Sequence, residues 1–164
     1  MKSKVITEYY PNRQIKYQAW FKNNKLHRDN DKPSAIGYHK NGQIKYQRWH
    51  KNGKLHREND KPAYIEYYEI GQIMYQKWYK NGMLHSDNDK PAEIHYYKNG
   101  QIMIEKWYRN GKLHRNNNNP AYIIYSCNNK IEYQCGYKNG LKNGLEKECL
   151  TILNKIKEFL IKKD

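Results

Sequence analysis

Apolar and polar residues alternate along much of this chain with the two-residue period of β-strands. After Pro62, for example, Ala63, Ile65 and Tyr67 are separated by residues that differ from one part of the chain to the next. A period of two places alternate side chains on opposite faces of a strand. The pattern therefore predicts strands with one repeated, buried face and one open, variable face.

The same pattern returns every 29 residues, without insertion or deletion, over four units. The positions that mark this interval are Trp20, Trp49, Trp78 and Trp107, together with His27, His56, His85 and His114. A degenerate fifth unit begins near Lys130 and has Gly136 at the Trp position. One such unit is too short to bury its own apolar face, whereas stacked units share a core. We therefore expect these Trp and His residues to form structural ladders.

Each unit divides into three predicted strands, which in the second unit are 43–50, 54–57 and 63–68. Asn-Gly pairs suit type I′ hairpin turns, because both residues tolerate the positive φ angles that these turns require. The pairs are Asn41-Gly42, Asn52-Gly53, Asn81-Gly82, Asn99-Gly100, Asn110-Gly111 and Asn139-Gly140. Three paired strands predict an advance of about 14 Å per unit and an elongated sheet. Trp49 has the opposite parity to Tyr46, which predicts a bulge or partial cover on both faces.

The end of the chain has a different period. Its apolar residues recur mostly at spacings of three and four, which is typical of an amphipathic helix. They are Leu145, Cys149, Ile152, Leu153, Ile156 and Leu160. We expect this helix to cap the open edge of the last unit, with a partner-binding or membrane-surface helix as the alternative. The fold prediction is an all-β, elongated antiparallel hairpin-repeat sheet over 1–142 and a C-terminal amphipathic capping helix over 143–164.

The segment 49–63, WHKNGKLHRENDKPA, resembles the tandem WYKNGKLHRE-x-GPA repeats of giant viruses, bacteriophages and A/T-rich bacteria. It is also similar, more distantly, to MORN repeats, which have Tyr/Trp-rich strands and Asn-Gly turns. The resemblance covers about residues 5–140. It implies a MORN-like β-repeat fold, a role in scaffolding or protein contacts, and a viral or phage source.

Composition refines this picture. The 164 residues carry 31 Lys plus Arg against 16 Asp plus Glu, a formal net charge of +15. Seventeen Tyr and four Trp argue against a disordered chain. Three Cys without a C-x-x-C pair predict free thiols in a reducing compartment. With neither an apolar run that spans a membrane nor a secretory signal, we expect a cytoplasmic protein, in the host cytoplasm if it is viral.

The sequence offers no site for catalysis, cofactors or metal ions. Gly-rich phosphate loops and recognisable nucleophile motifs are absent, so we expect a non-enzymatic protein without a cofactor. His27 precedes Asp31 by four residues, and this spacing recurs. Copies one unit apart are nevertheless too distant to share one ion. We expect these imidazoles to bond to nearby backbone.

Basic residues recur at equivalent positions, where stacking turns them into stripes beside open-face tyrosines. The candidate contacts for a polyanion or partner are Lys25, Arg28, Lys51, Lys54, Arg57, Lys61, Tyr64, Tyr68, Tyr97, Lys112 and Arg115. A basic stripe with aromatic neighbours suits nucleic acid. A solvated surface that reflects codon bias is the alternative explanation.

Two functions follow. The first is a repeat module that presents an extended surface to a protein partner. The second is an RNA or DNA binder or, from the phage-like resemblance, an inhibitor of a host nucleic-acid-guided nuclease such as a CRISPR effector. The open N-terminal edge also suggests a homodimer.

Overall fold

The computed structural model describes residues 2–117 and 119–143, and these residues form antiparallel β-structure. The strands are β1 Ser3–Tyr9, β2 Ile15–Lys22, β3 Lys25–Leu26, β4 Ala35–Tyr38, β5 Ile44–Arg48, β6 His50–Lys51, β7 Lys54–Leu55, β8 Tyr64–Tyr67, β9 Ile73–Lys77, β10 Tyr79–Lys80, β11 Met83–Leu84, β12 Glu93–Tyr96, β13 Ile102–Lys106, β14 Tyr108–Arg109, β15 Lys112–Leu113, β16 Pro120–Tyr125, β17 Ile131–Lys138 and β18 Leu141–Asn143. The predicted helix over 143–164 lies, apart from its first residue, outside the described residues.

One large sheet holds the long strands in the order β1-β2-β4-β5-β8-β9-β12-β13-β16-β17-β18. Each strand pairs antiparallel with its neighbour, so the sheet is a meander of hairpins. The predicted all-β class and antiparallel hairpin sheet are confirmed for the described residues. These residues include no helix of the length and apolarity that a membrane crossing requires.

The prediction of three sheet strands per unit is wrong. Two strands of each unit join the large sheet, while the short strands form separate hairpins, β6-β7, β10-β11 and β14-β15. The chain changes partner at the Trp. The Trp49 N–H donates to the Ala63 carbonyl across the sheet at 2.8 Å, and its own carbonyl accepts from His56 N–H at 3.0 Å. With two sheet strands, a unit advances about 10 Å rather than 14 Å.

These short hairpins, which we call side hairpins, stack on one another. The Gly53 N–H donates to the Leu26 carbonyl of the preceding unit at 2.9 Å, and Gly82, Gly111 and Gly140 repeat this bond. The first unit differs slightly, because β3 pairs directly with the long strand β2. The side hairpins therefore form a continuous row beside the large sheet.

The Asn-Gly pairs belong to two classes of turn. At Asn52-Gly53 both φ angles are positive, at 53° and 85°, as a type I′ turn requires. Asn81-Gly82, Asn110-Gly111 and Asn139-Gly140 have the same conformation. The type I′ prediction is wrong for Asn41-Gly42 and Asn99-Gly100, where glycine alone has positive φ. There the Gly42 N–H donates to the His39 carbonyl at 3.0 Å, which makes a three-residue turn followed by a glycine bulge.

A β-bulge lies where each second strand meets the next first strand, and its extra residue belongs to that first strand, as Met74 does opposite Glu66 and Tyr67. The second strands themselves alternate regularly. Tyr68 and Tyr97 therefore keep the parity of Tyr64, and Tyr97 packs beside Ile104 and Ile124. Tyr68 is buried at the turn, and its hydroxyl donates to the Tyr96 carbonyl at 2.8 Å. The Tyr97 hydroxyl makes the same bond to the Tyr125 carbonyl at 2.7 Å.

Candidate interaction surfaces

One face of the large sheet repeats from unit to unit, and we call it the ladder face. Its central row alternates polar and apolar residues across the strands. The row runs Gln18, Ile36, Gln47, Ile65, Gln76, Ile94, Glu105, Ile123 and Gln134. Beside it, the Tyr67 hydroxyl donates to Gln47 Oε1 at 2.9 Å. Tyr38, Tyr96 and Tyr125 make the equivalent bond to Gln18, Gln76 and Glu105.

The tryptophans stand at the side-hairpin end of this face. The Trp49 side chain is 6% exposed, and its Nε1–H donates to the Asp31 carbonyl of the preceding unit at 3.0 Å. Trp78 and Trp107 bond in the same way to Asp60 and Asp89. Each of these indoles therefore ties two units together. Trp20 belongs to the first unit and pairs instead with Val5 of β1.

The repeated arginines lie on these tryptophans. The Arg57 guanidinium carbon is 3.8 Å from the centre of the Trp49 ring. The same side chain donates to both carboxylate oxygens of Asp31, at 2.7 and 3.0 Å, and to the Pro62 carbonyl at 3.3 Å. Arg115 repeats all three contacts with Trp107, Asp89 and Pro120. Arg28 stacks on Trp20 and donates to Pro33.

Each ladder histidine lies between a backbone N–H of the next unit and a side chain of its own unit. His56 Nδ1 accepts from the backbone N–H of Asn81 in the next unit at 3.2 Å, so its Nε2 carries the proton. That nitrogen lies 3.0 Å from Glu58 Oε1. Lys51 Nζ lies 2.7 Å from the same oxygen, and bonds from Lys51 and His56 lower the pKa of Glu58 to about 2.

His27, His85 and His114 share this geometry, with Asp29, Asp87 and Asn116 as the side-chain partners. The side-chain partner lies two residues after each His, and Asp31, four residues after His27, bonds to Arg57 instead. Among the described residues, no group of three or more His, Cys, Asp and Glu side chains is arranged to hold a metal ion.

The other face of the sheet differs from unit to unit, and we call it the variable face. It has two rows. The first contains Ala19, Ala35, Arg48, Tyr64, Lys77, Glu93, Lys106, Tyr122 and Cys135, and the second contains Tyr17, Gly37, Tyr46, Glu66, Tyr75, His95, Ile104, Ile124 and Tyr133. The first units supply mainly tyrosine, the middle units supply charge, and the last strands supply apolar side chains.

A shallow recess lies at the N-terminal end of the variable face. It has a volume of about 330 Å³ and is lined partly by Tyr17, Gly37, Tyr38 and Tyr46. A Cβ atom on Gly37 would lie 2.4 Å from the Tyr46 ring, so only glycine permits this approach. The absence of a side chain at Gly37 therefore lets the Tyr46 ring lie against the backbone beside the recess.

An arginine and three tyrosines join the recess to the centre of the face. The Arg48 guanidinium lies 4.5 Å from the Tyr46 ring centre and 4.7 Å from that of Tyr64. The hydroxyls of Tyr64 and Tyr75 both donate to the Glu66 carboxylate. Burial and these hydrogen bonds raise the pKa of Tyr75, so the phenol stays protonated.

At the centre of the face lies a buried carboxylate, Glu93, which is 5% exposed. Lys77 Nζ lies 3.3 Å away, Lys106 Nζ lies 3.8 Å away, and the His95 ring bonds to the same carboxylate at 2.5 Å. Burial by itself raises the pKa of Glu93, but the His95 hydrogen bond and the two lysine charges lower it to about 2. The charges at this point of the variable face are therefore paired with one another.

The lysines of the side hairpins divide into paired and unpaired sets. Lys51 lies near Glu58, and Lys61 Nζ is 2.9 Å from Asp31. Lys25, Lys54 and Lys112 are exposed at the hairpin tips, and no carboxylate of the described residues lies within 4.0 Å of them. These three lysines, which we call the tip lysines, form a row that Met83 interrupts in the third unit.

Sequence reasoning proposed eleven contact residues, and the structure places them in different surroundings. Arg28, Arg57 and Arg115 contact tryptophan, Lys51 and Lys61 face carboxylates, and the tip lysines are exposed. Of the three candidate tyrosines, Tyr64 lies in a strand of the variable face, whereas Tyr68 and Tyr97 lie at turns and bond to the backbone of the next unit. Sequence reasoning missed Arg48, Glu93 and the Gly37 recess. The signal was present, because each stands at a position whose residue changes between units.

Comparison with known proteins identifies no relative. No family model, curated protein or solved structure matches this chain.

Proposed function

We propose that this protein is a non-enzymatic repeat module that binds a protein partner through its variable face. The observation that carries the proposal is a difference between the two faces of the sheet. The ladder face repeats the same hydrogen bonds in every unit, whereas the variable face changes its chemistry along the sheet. The last strands of the variable face are buried, as Ile104 and Ile124 show, so the proposal rests on its first units, where Tyr46, Arg48 and Tyr64 are half-buried.

The chemistry of the variable face fits a protein better than a polyanion. Tyrosine and arginine are enriched at protein interfaces, because they combine a large apolar contact area with hydrogen-bonding groups. Arg48, Tyr46 and Tyr64 supply such a cluster next to the Gly37 recess. The lysines near Glu93 are paired with that carboxylate, which reduces their attraction for phosphate.

A nucleic-acid binder is the second candidate, and the tip lysines favour it. Lys25, Lys54 and Lys112 are exposed and lack a carboxylate partner among the described residues. Against this candidate, the carboxylates of Asp31 and Glu58 lie next to the basic residues on either side of this row. The net charge of +15 is therefore partly neutralised where the repeats meet.

The finer features of the fold prediction belong to the same proposal. We propose that the chain is a MORN-like repeat protein and that the segment 143–164 caps the last unit. Pro120, Gly136, Tyr137 and Asn143 line part of a groove of about 690 Å³ at that end, where Gly136 replaces the repeated Trp. Asn143, the last described residue, is part of the lining of this groove.

The test is retention of protein and nucleic acid on the immobilised full chain from an extract of the native host, at low and high salt. A triple variant, Lys25→Glu with Lys54→Glu and Lys112→Glu, serves as the comparison. Protein binding predicts one stoichiometric protein at both salt concentrations, bound equally by the parent and the variant. Retention of nucleic acid that is lost at high salt and in the variant would contradict the proposal, because counterion release makes phosphate contacts salt-dependent.

The same experiment tests the hypothesis of a nuclease inhibitor. A nucleic-acid-guided nuclease retained at high salt, with its guide still bound, would support it. The protein is then a cytoplasmic inhibitor that acts through its variable face.

A further inference from the structure

The first strand of the large sheet leaves one edge open. β1 pairs with β2 on one side, and no described strand pairs with it on the other. Val5 on this strand is 53% exposed. An open edge strand presents unpaired backbone groups and is a template for another strand.

The hydrogen-bond pattern shows which residues of β1 face outward. The Asn23 N–H donates to the Lys2 carbonyl at 3.1 Å, so Lys2 and Asn23 form a hydrogen-bonded pair. In an antiparallel ladder such pairs alternate along the strand. Lys4, Ile6 and Glu8 therefore direct their backbone groups toward β2, as Lys2 does. The backbone groups of Ser3, Val5 and Thr7 point away from the sheet.

The side chains of β1 are self-complementary about Ile6. Lys4 lies two residues before Ile6 and Glu8 lies two residues after it. If two copies of β1 pair antiparallel with Ile6 opposite Ile6, each Lys4 faces the Glu8 of the other copy. Val5 then lies opposite Thr7, and these two outward-facing residues exchange both of their backbone hydrogen bonds. The backbone parity and the charge pattern thus favour the same register.

We propose that β1 joins the β1 of a second copy of this chain in this register and forms a two-fold symmetric dimer. The two sheets then become one, with the symmetry axis perpendicular to it through the Ile6 pair. Lys4 and Glu8 lie on the variable face, since Glu8 pairs with Tyr17. The dimer therefore places the variable faces of both copies, including both Gly37 recesses, on the same side.

A shift of the register by two residues loses this match. Moving the strands so that Val5 faces Val5 places Lys4 against Ile6 and moves Glu8 opposite Lys2, beyond the start of β1. Moving them the other way brings Thr7 opposite Thr7 and places Ile6 against Glu8. Only the register centred on Ile6 pairs apolar with apolar and charge with charge within the strand.

Sedimentation equilibrium of the full chain over a range of concentrations tests the proposal. We expect a monomer–dimer equilibrium. Lys4→Glu and Glu8→Lys should each raise the dimer dissociation constant about tenfold or more, because two symmetry-related attractions become repulsions. The double variant restores opposite charges and should return the constant to near the parent value. Lys45→Glu, the same charge change at the exposed residue of β5, should leave it unchanged.

A backbone substitution provides an independent test. Thr7→Pro removes an outward N–H without removing a hydrogen bond to β2, so it should abolish the dimer while the urea midpoint of the monomer stays close to that of the parent. A chain that is monomeric at every concentration would overturn the proposal. So would a double charge variant that fails to recover, or amide-exchange protection of Val5 and Thr7 in the monomer, which would mean that the chain covers its own edge.

Discussion

The ladder face and the variable face belong to the same strands but follow different rules. On the ladder face, the bond from Tyr67 to Gln47 at 2.9 Å recurs in the other three units at 2.7 to 3.3 Å, with Glu105 as the acceptor in the fourth. On the variable face, equivalent positions hold Tyr64 in one unit and Glu93 in the next. The comparison teaches that the positions that repeat are the ones that join neighbouring units. Functional residues are expected at positions that differ between units.

The largest expected effect comes from breaking the ladder face. Trp49→Ala removes a 6% exposed indole that bonds to Asp31 and stacks with Arg57, and it should cost about 3–5 kcal/mol of unfolding free energy. Trp78 is more exposed and has no arginine partner, since Ser86 stands at the Arg57 position, so Trp78→Ala should cost less. Urea denaturation measures both, and equal losses would contradict this ranking.

Acid should loosen the centre of the variable face. Because the folded pKa of Glu93 is lowered to about 2, its stabilising contribution is present above about pH 4.5 and is lost as the pH falls toward 2. The loss is at most roughly 3 kcal/mol. Thermal unfolding between pH 5 and pH 2 should show a smaller pH dependence in Glu93→Gln than in the parent.

Glu58→Gln is the matched control for this acid dependence. Glu58 also has a lowered pKa, but its carboxylate is exposed, and solvent screens its ion pairs. A variant that removes Glu58 should keep the pH dependence of the parent. If the two variants behave alike, the buried carboxylate is not the source of the effect.

The second and fourth units share an arginine clamp, in which Arg57 or Arg115 stacks on a Trp and bonds to an Asp. The third unit lacks the clamp, because Ser86 stands at the arginine position. Arg57→Ala should lower the unfolding free energy by about 1–2 kcal/mol, through loss of the stacking on Trp49 and the two bonds to Asp31. Ser86→Arg should raise it by about 1 kcal/mol, because Trp78 and the Asp60 carboxylate are in place to receive the new guanidinium.

Chemical denaturation of Arg57→Ala and Ser86→Arg measures both changes in unfolding free energy. Lys54→Ala at the exposed hairpin tip is the control and should change little. A Ser86→Arg variant no more stable than the parent would contradict the structural role of the clamp.

The smallest expected effect concerns His50, which lies where later units have Tyr79 and Tyr108. Its Nδ1 is 2.8 Å from Ser34 Oγ, and burial together with the Arg48 charge lowers the pKa of His50 to about 4. The unfolded chain then binds a proton more readily, so stability should fall by about 1 kcal/mol between pH 7 and pH 5. Ser34→Ala with His50→Tyr, which copies the later units, should abolish this change in thermal unfolding. An undiminished change would assign it to other groups.

Much of the fold could be predicted from sequence because the repeat is exact in length. Alternation indicated the strands, and positive-φ residues indicated the turns at Asn52-Gly53 and its three equivalents. The side hairpins could not be predicted, because their separation depends on Trp49 changing hydrogen-bond partners within one residue. The parity of Trp49 and Tyr46 indicated a bulge in the first strand, and the strand register places it at Lys45.

The candidate site was harder to predict because its contacts cross between units. Arg57 bonds to Asp31, which lies 26 residues earlier. The sequence therefore suggested that Arg57 is an unpaired cation, although it is paired in the structure. Glu93 looked like one substitution at a variable position. Its burial between Lys77 and Lys106 follows from strand register and emerges only in three dimensions.

The most direct test of the central claim is to exchange variable-face residues between units and measure stability and binding together. Tyr64→Glu with Glu66→His gives the second unit the residues of the third. The introduced carboxylate lies between Arg48 and Lys77, just as Glu93 lies between Lys77 and Lys106. The account predicts an unfolding free energy within about 1 kcal/mol of the parent and loss of the retained protein partner. Loss of folding, or full retention of the partner by a folded variant, would contradict it.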